Sequence, residues 1–69
     1  MNTMKITANA KQYEIEKETT VADFIESTGL KASRCVVELN GKAMRFESFA
    51  GVVLREGDTL EIMQIVAGG

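Results

Sequence analysis

The sequence predicts an α+β domain: a mixed sheet of four to five strands with one main helix packed across one face. Three observations point to it. Segments near both ends alternate apolar and polar residues, the period of a half-buried strand. One segment between them repeats with the period of a helix. The chain, at 69 residues, has room for one domain only.

Met4, Ile6 and Ala8 alternate with Lys5 and Thr7 and form the first strand. Asn9-Ala10 turns the chain, since Asn tolerates left-handed backbone angles. Tyr13 and Ile15 then alternate with Gln12, Glu14 and Glu16, giving a second strand folded back on the first. The period changes after Lys17: Val21, Phe24, Ile25 and Thr28 lie on one face of a helix. Thr20 with Asp23 is a capping-box-like start, and Gly29 is placed to stop the helix, where a positive φ costs Gly nothing. Cys35, Val37 and Leu39 form the inner face of a third strand, followed by the strong turn signal Asn40-Gly41. Residues 43–51, with Met44, Phe46 and Phe49, read as a loop with a short helical turn anchored by the two aromatics. Val52-Val53-Leu54 reads as a brief strand, Arg55–Asp58 as a turn, and Leu60 and Ile62 as the inner face of the last strand.

This order, with a helix connecting strands in one sheet, is the layout of the ubiquitin-like β-grasp. The expected core is Met4, Ile6, Tyr13, Ile15, Val21, Phe24, Ile25, Leu30, Val37, Leu39, Phe49, Leu54, Leu60 and Ile62. Residues 1–65 are expected to form the domain, and residues 66–69 a flexible C-terminal tail.

The composition narrows function. Apolar residues make up 45% of the chain and the net charge is only −2, which does not fit a disordered chain. Eight basic residues scattered singly give no footprint for nucleic acid. No apolar run approaches the length that spans a membrane, and the first residues lack the pattern of a secretory signal. One cysteine makes no internal disulfide, so the cytoplasm is the expected location. With no histidine, no metal site of the Cys/His type and no Ser-His or Cys-His nucleophile pair is expected, so no catalytic residue is assigned. Gly41-Lys42 lacks the earlier glycine of a phosphate loop, position 36 being Val, and is a hairpin turn. Cys35, on an inner strand face, is expected to pack as a small hydrophobe rather than act in redox or hold sulfur. Glu14, Glu16 and Glu18 read as a solvated face that discourages edge pairing, or as a dock for a basic partner.

Two features point outward. Met63 and Ile65 have the opposite parity to Leu60 and Ile62. Either they face away from the helix and meet a partner, or a twist or bulge turns them inward. The chain then closes Val66-Ala67-Gly68-Gly69. Glycine has no Cβ, so Gly68 and Gly69 can pass a channel too narrow for side chains and leave the terminal carboxyl unhindered. Fully extended, residues 66–69 reach at most about 14 Å. A terminal carboxyl, with a pKa of about 3.5, is ionised at neutral pH and is a poor electrophile. Making it react requires activation as an acyl adenylate or its like, which this chain has no residues to perform.

The sequence resembles the ThiS family of thiamine-biosynthesis sulfur carriers. Met4-Lys5-Ile6 with Asn9, Thr19–Ile25, Val36–Lys42, Glu56–Ile62 and Val66–Gly69 match the family's motifs in order and spacing over nearly the whole chain. The sequence departs from the family in its three residues before Met4, in lacking a proline after Asn40-Gly41, and in Phe49 at a position where Trp is common. The resemblance implies a carrier rather than an enzyme, with no bound cofactor. A ThiF-like adenylyltransferase, using ATP and Mg, would activate Gly69. Sulfur would replace the adenylate to give a thiocarboxylate, which a ThiG-like thiazole synthase would consume. Gly68 would keep the tail slim, Val66 and Ala67 would adjoin it, and Met63 and Ile65 would be candidates for the partner surface. The small subunit of molybdopterin synthase shares the fold and the diglycine end, and an interaction module with an incidental tail is the third alternative.

Overall fold

The computed structural model describes residues 2–66. Its sheet has five strands: β1 (Thr3–Ala8), β2 (Lys11–Glu16), β3 (Cys35–Leu39), β4 (Lys42–Met44) and β5 (Thr59–Gln64). They lie in the order β2-β1-β5-β3-β4. β1 and β5 run parallel, and the other neighbours are antiparallel. The last strand in sequence is therefore the central strand in space. Among the described residues there is one α-helix, α1 (Val21–Ser27), which packs over the inner face.

The helix starts where expected. The Thr20 hydroxyl accepts a hydrogen bond from the Asp23 backbone N–H at 3.1 Å, and the Asp23 carboxylate reaches back to the Thr20 N–H at 3.5 Å. This reciprocal cap satisfies two donors that helix geometry leaves free. The helix ends at Thr28, and Gly29 follows with φ +88°. Val21, Phe24 and Ile25 are the buried helical residues. They meet Met4, Ile6, Ala8, Cys35, Val37, Leu60 and Ile62 from the sheet, and Ala32, Phe49 and Leu54 from the connections. Tyr13, Ile15, Leu30 and Leu39, expected in the core, lie at its margin and are only partly buried. Tyr13 contributes an edge-on contact to the Phe24 ring, with centroids 5.0 Å apart.

Two elements differ from expectation. Residues 43–51 hold the expected short helical turn, a 3₁₀ turn over Phe46–Gly51, but the stretch before it is not loop: Lys42–Met44 forms β4 against β3. Val52–Leu54 is not a strand of the sheet. Val53 makes one isolated bridge to Thr20, flanked by Val21 N–H to Val52 O and Leu54 N–H to Thr19 O, both 2.9 Å. This segment spends its hydrogen bonds on the residues that lead into α1, and one of them satisfies a first-turn N–H of the helix.

The two hairpin tips are alike in backbone. Asn9 and Ala10 have φ 52° and 67°, and Asn40 and Gly41 have 52° and 85°. Two consecutive positive values are what a two-residue hairpin turn of the primed kind requires. Gly41 meets this freely, whereas Ala10 carries a Cβ into the left-handed region. Ala10→Gly is expected to stabilise the domain by about 0.5–1 kcal/mol net of the extra freedom of the unfolded chain. Thermal melting followed by circular dichroism checks this, and an unchanged or lower midpoint contradicts it.

Candidate functional site

The centre of interest is the exit of β5. Because β5 lies mid-sheet, the chain leaves the domain between β1 and β3 rather than from a loose edge. On the β3 side the strand is held along its full length, from Leu39↔Leu60 to Cys35↔Gln64. One further bond, Ile65 N–H to Arg34 O at 2.7 Å, extends this hold by a residue. On the β1 side the ladder is short, with only Thr7↔Thr59 and Ala8↔Leu60 in register. There Asn9 takes over. Its backbone N–H donates to Leu60 O at 2.9 Å, its Oδ1 accepts from Ile62 N–H at 2.8 Å, and its Nδ2 donates to Ile62 O at 3.1 Å. The side-chain amide thus takes the place of a peptide group of a neighbouring strand. Asn40 does related work at the start of β5: its N–H donates to Thr59 O at 2.7 Å and its Oδ1 accepts from Thr59 N–H at 2.9 Å.

Met63 and Ile65 point outward, 69% and 57% exposed. The regular ladder to Val36 at Met63 rules out the inward twist or bulge. Val36 is their exposed apolar neighbour across the strand pair, and sequence reasoning did not assign it to this surface. Its outward parity beside Cys35 and Val37 was the available signal. Next along this face Glu38 lies opposite Glu61, both exposed. Like charges directly opposite on a sheet repel, so the apolar stripe is bordered by a site that favours a cation. Val66 is 80% exposed. Ala67, Gly68 and Gly69, assigned to the tail and to the modified terminus, lie outside the described residues.

The remaining candidates fall elsewhere. Glu14 and Glu16 sit on the edge strand β2, and the Glu14 carboxylate accepts from the Thr3 hydroxyl at 2.7 Å. Glu18 is in the connection to α1 with φ 72°. Cys35 is buried, and its thiol donates to Lys31 O at 3.3 Å. Burial pushes its pKa up, and the Glu26 carboxylate adds to the rise. Such a thiol is less ionised at neutral pH than that of free cysteine, and so less nucleophilic. Alkylation by iodoacetamide at pH 7 is expected to be far slower than for free cysteine, and to become comparable only when the chain is unfolded in denaturant. Fast labelling of the folded chain contradicts the buried, packing role. Among the described residues no group of three or more His, Cys, Asp or Glu side chains converges, and no helix is long and apolar enough to cross a membrane.

Comparison with known proteins decides the family. The profile of the ThiS family matches residues 5–69. The chain belongs to the ThiS family. The expectations of a ubiquitin-like β-grasp and of a sulfur carrier of thiamine biosynthesis are thereby met. A crystal structure of the thiamine biosynthesis protein ThiS from Geobacter metallireducens is similar with a TM-score of 0.76 and 26% identity, over 96% of this chain and 100% of that one. A solution structure of a thiamine biosynthesis protein from the same organism gives 0.75 and 26%, over 96% and 88%. A solved N-terminal ubiquitin-like domain, 18% identical with a TM-score of 0.55, shares the fold over 99% of this chain and 78% of that one. A thiazole synthase of Magnetococcus marinus is 29% identical over 66 residues, 96% of this ThiS-family chain. The match spans only 20% of that synthase's length. ThiS-family members are small carrier proteins rather than catalysts.

Proposed function

We propose that this chain carries sulfur on the carboxyl of Gly69 for thiazole formation. A ThiF-like adenylyltransferase joins the carboxylate of Gly69 to the adenylyl group of ATP, with Mg on the phosphates, and pyrophosphate leaves. Hydrosulfide delivered by the sulfur donor then adds to the acyl carbon, AMP leaves and the S–H proton is lost; AMP is a far better leaving group than the oxide of the original carboxylate. The resulting thiocarboxylate is the sulfur source for a ThiG-like thiazole synthase. ATP and Mg belong to the activating enzyme, and the carrier itself binds no cofactor. Gly68 lets the terminus pass into a narrow active site, with Val66 and Ala67 spanning the distance from the domain.

The observation that supports this reading is the placement of β5. Residue 65 is fixed by its bond to Arg34, so the chain leaves the domain at a defined point, four residues before Gly69. Met63, Ile65 and Val36 form the apolar part of the surface that docks the partner, and Glu38 and Glu61 receive a basic residue beside it. The Magnetococcus marinus synthase, about one fifth of which resembles this chain, supports pairing such a carrier with a thiazole synthase.

Incubation with the activating enzyme, ATP, Mg and a sulfur donor is expected to raise the intact mass by the difference between sulfur and oxygen. An unchanged mass, under conditions that convert the Geobacter metallireducens ThiS, overturns the reading.

A further inference from the structure

A central strand has both its backbone edges paired, and β5 meets that rule along its whole length on one side only. Glu61, Met63 and Ile65 turn their backbone groups toward β3 and Arg34. Leu60, Ile62 and Gln64 turn theirs toward the β1 side, where Leu60 O is taken by the Asn9 N–H and Ile62 by the Asn9 side chain. There the pairing stops. The β1–β2 hairpin has turned back at Asn9-Ala10, and β5 runs on past its tip. Among the described residues, neither the N–H nor the C=O of Gln64 has a hydrogen-bond partner, and the N–H of Val66 has none.

The sequence treats this overhang unlike the true edges. β2, the outer strand on that flank, carries Lys11, Glu14 and Glu16. β4, the outer strand on the other, begins with Lys42 and is followed by Arg45. Charged side chains on edges discourage unwanted strand pairing. The overhang Met63-Gln64-Ile65-Val66 has no charge and no proline, and three of its four side chains are apolar and exposed. Asn9 also shows that the seam accepts an amide, since its side chain holds Ile62 at both ends as a peptide group would. The next such position lies about 6.8 Å along the strand, at Gln64.

We propose that Gln64–Val66 is a strand-addition seam that an extended segment of the thiazole synthase fills, continuing the sheet past Asn9 and fixing the direction in which the terminus enters the synthase. This rests on the carrier reading for its purpose. The added strand bonds to Gln64 through the backbone, and its side chains on the outer face cover Met63 and Ile65. The thiazole synthase is the favoured occupant because a similar chain forms part of one such synthase. A second copy of this chain is the poorer fit, because pairing alike would bring the Glu38–Glu61 borders of both copies onto one face.

The test uses the full chain and the thiazole synthase of the same organism. Amide hydrogen exchange of Gln64 is expected to slow at least about tenfold on adding the synthase, while Ile62, already bonded to Asn9, changes little. Gln64→Pro removes the N–H and should weaken binding about tenfold. It sacrifices no bond to β3, and proline is tolerated at such strand positions. Gln64→Ala, which keeps the N–H, should bind as the unaltered chain does. A complex in which Gln64 exchanges as before overturns the proposal, as does the absence of a complex. Protection of Gln64 through self-association of the chain alone overturns it in favour of a second copy. Should Gln64→Pro fail to fold, exchange in the unaltered chain still decides. Sulfur loading, read by mass without the synthase, reports separately on the carrier reading.

Discussion

One residue added after Gly69 is expected to abolish sulfur loading and to leave thermal stability unchanged. The added residue moves the carboxyl by about 3.5 Å and turns the former carboxyl carbon into a peptide carbonyl. Misplacement by about 1 Å can already cost around a hundredfold in rate when reacting atoms must align, so loading should fall below detection with either Ala or Gly appended. Deleting Gly68 and Gly69 should have the same effect. Among the described residues the last core member in sequence is Ile62, seven positions before the altered end. The melting midpoint should therefore stay within about 2 °C, the scale of a substitution away from packed features. Intact mass after the loading reaction and a melting curve on each variant check both halves. Full loading of the extended chain, with the appended residue still present in the mass, contradicts the assignment of Gly69.

What was legible beforehand follows from how far each signal reaches. The alternation of Met4, Ile6 and Ala8, and the helical spacing of Val21, Phe24 and Ile25, are local patterns, and both appear as written. Lys42–Met44 has no such pattern: three residues, the first two exposed and the third half-buried, are too few to show a period. Val52–Leu54 misled because three apolar residues in a row suggest a strand. Its hydrogen bonds go to Thr19 and Val21 instead, so it forms a bridge and no ladder. Ala32 is buried through tertiary contact that its neighbours do not announce. The outward set of Met63 and Ile65 was half legible, since parity alone left a bulge open and the Val36↔Met63 register closed it. The Asn9 clamp was not legible, because its partner Ile62 lies 53 residues away. Only the tolerance of Asn for a positive φ was visible, and that explains the turn without disclosing the amide's second task.

Phe49→Ala is expected to remove most of the stability of the domain while leaving the chemistry of the tail intact in whatever fraction stays folded. Phe49 is 1% exposed, and it heads the fully buried side chains by volume. It sits in the 3₁₀ turn rather than in the sheet, so it anchors the long connection between β4 and β5 to the core. Its ring also meets Phe46 edge-on, with centroids 5.6 Å apart. Truncating a buried Phe to Ala costs about 3–5 kcal/mol, the lost transfer of the ring plus the cavity it leaves. A chain this short has a total stability of about 3–10 kcal/mol, so the midpoint of urea unfolding should fall by roughly half or more. Phe46→Ala is the matching control: that ring is 52% exposed, and its loss should cost no more than about 1 kcal/mol. Equal effects of the two substitutions contradict the assignment of Phe49 as the anchor. The contrast with the tail variants is the sharper point, since those variants lose loading without losing stability. Phe49→Ala should lose stability first, and its loading should fall only in proportion to the unfolded fraction. If loading by Phe49→Ala collapses under conditions where circular dichroism shows the chain still folded, the 3₁₀ turn takes part in recognition by the activating enzyme as well as in packing.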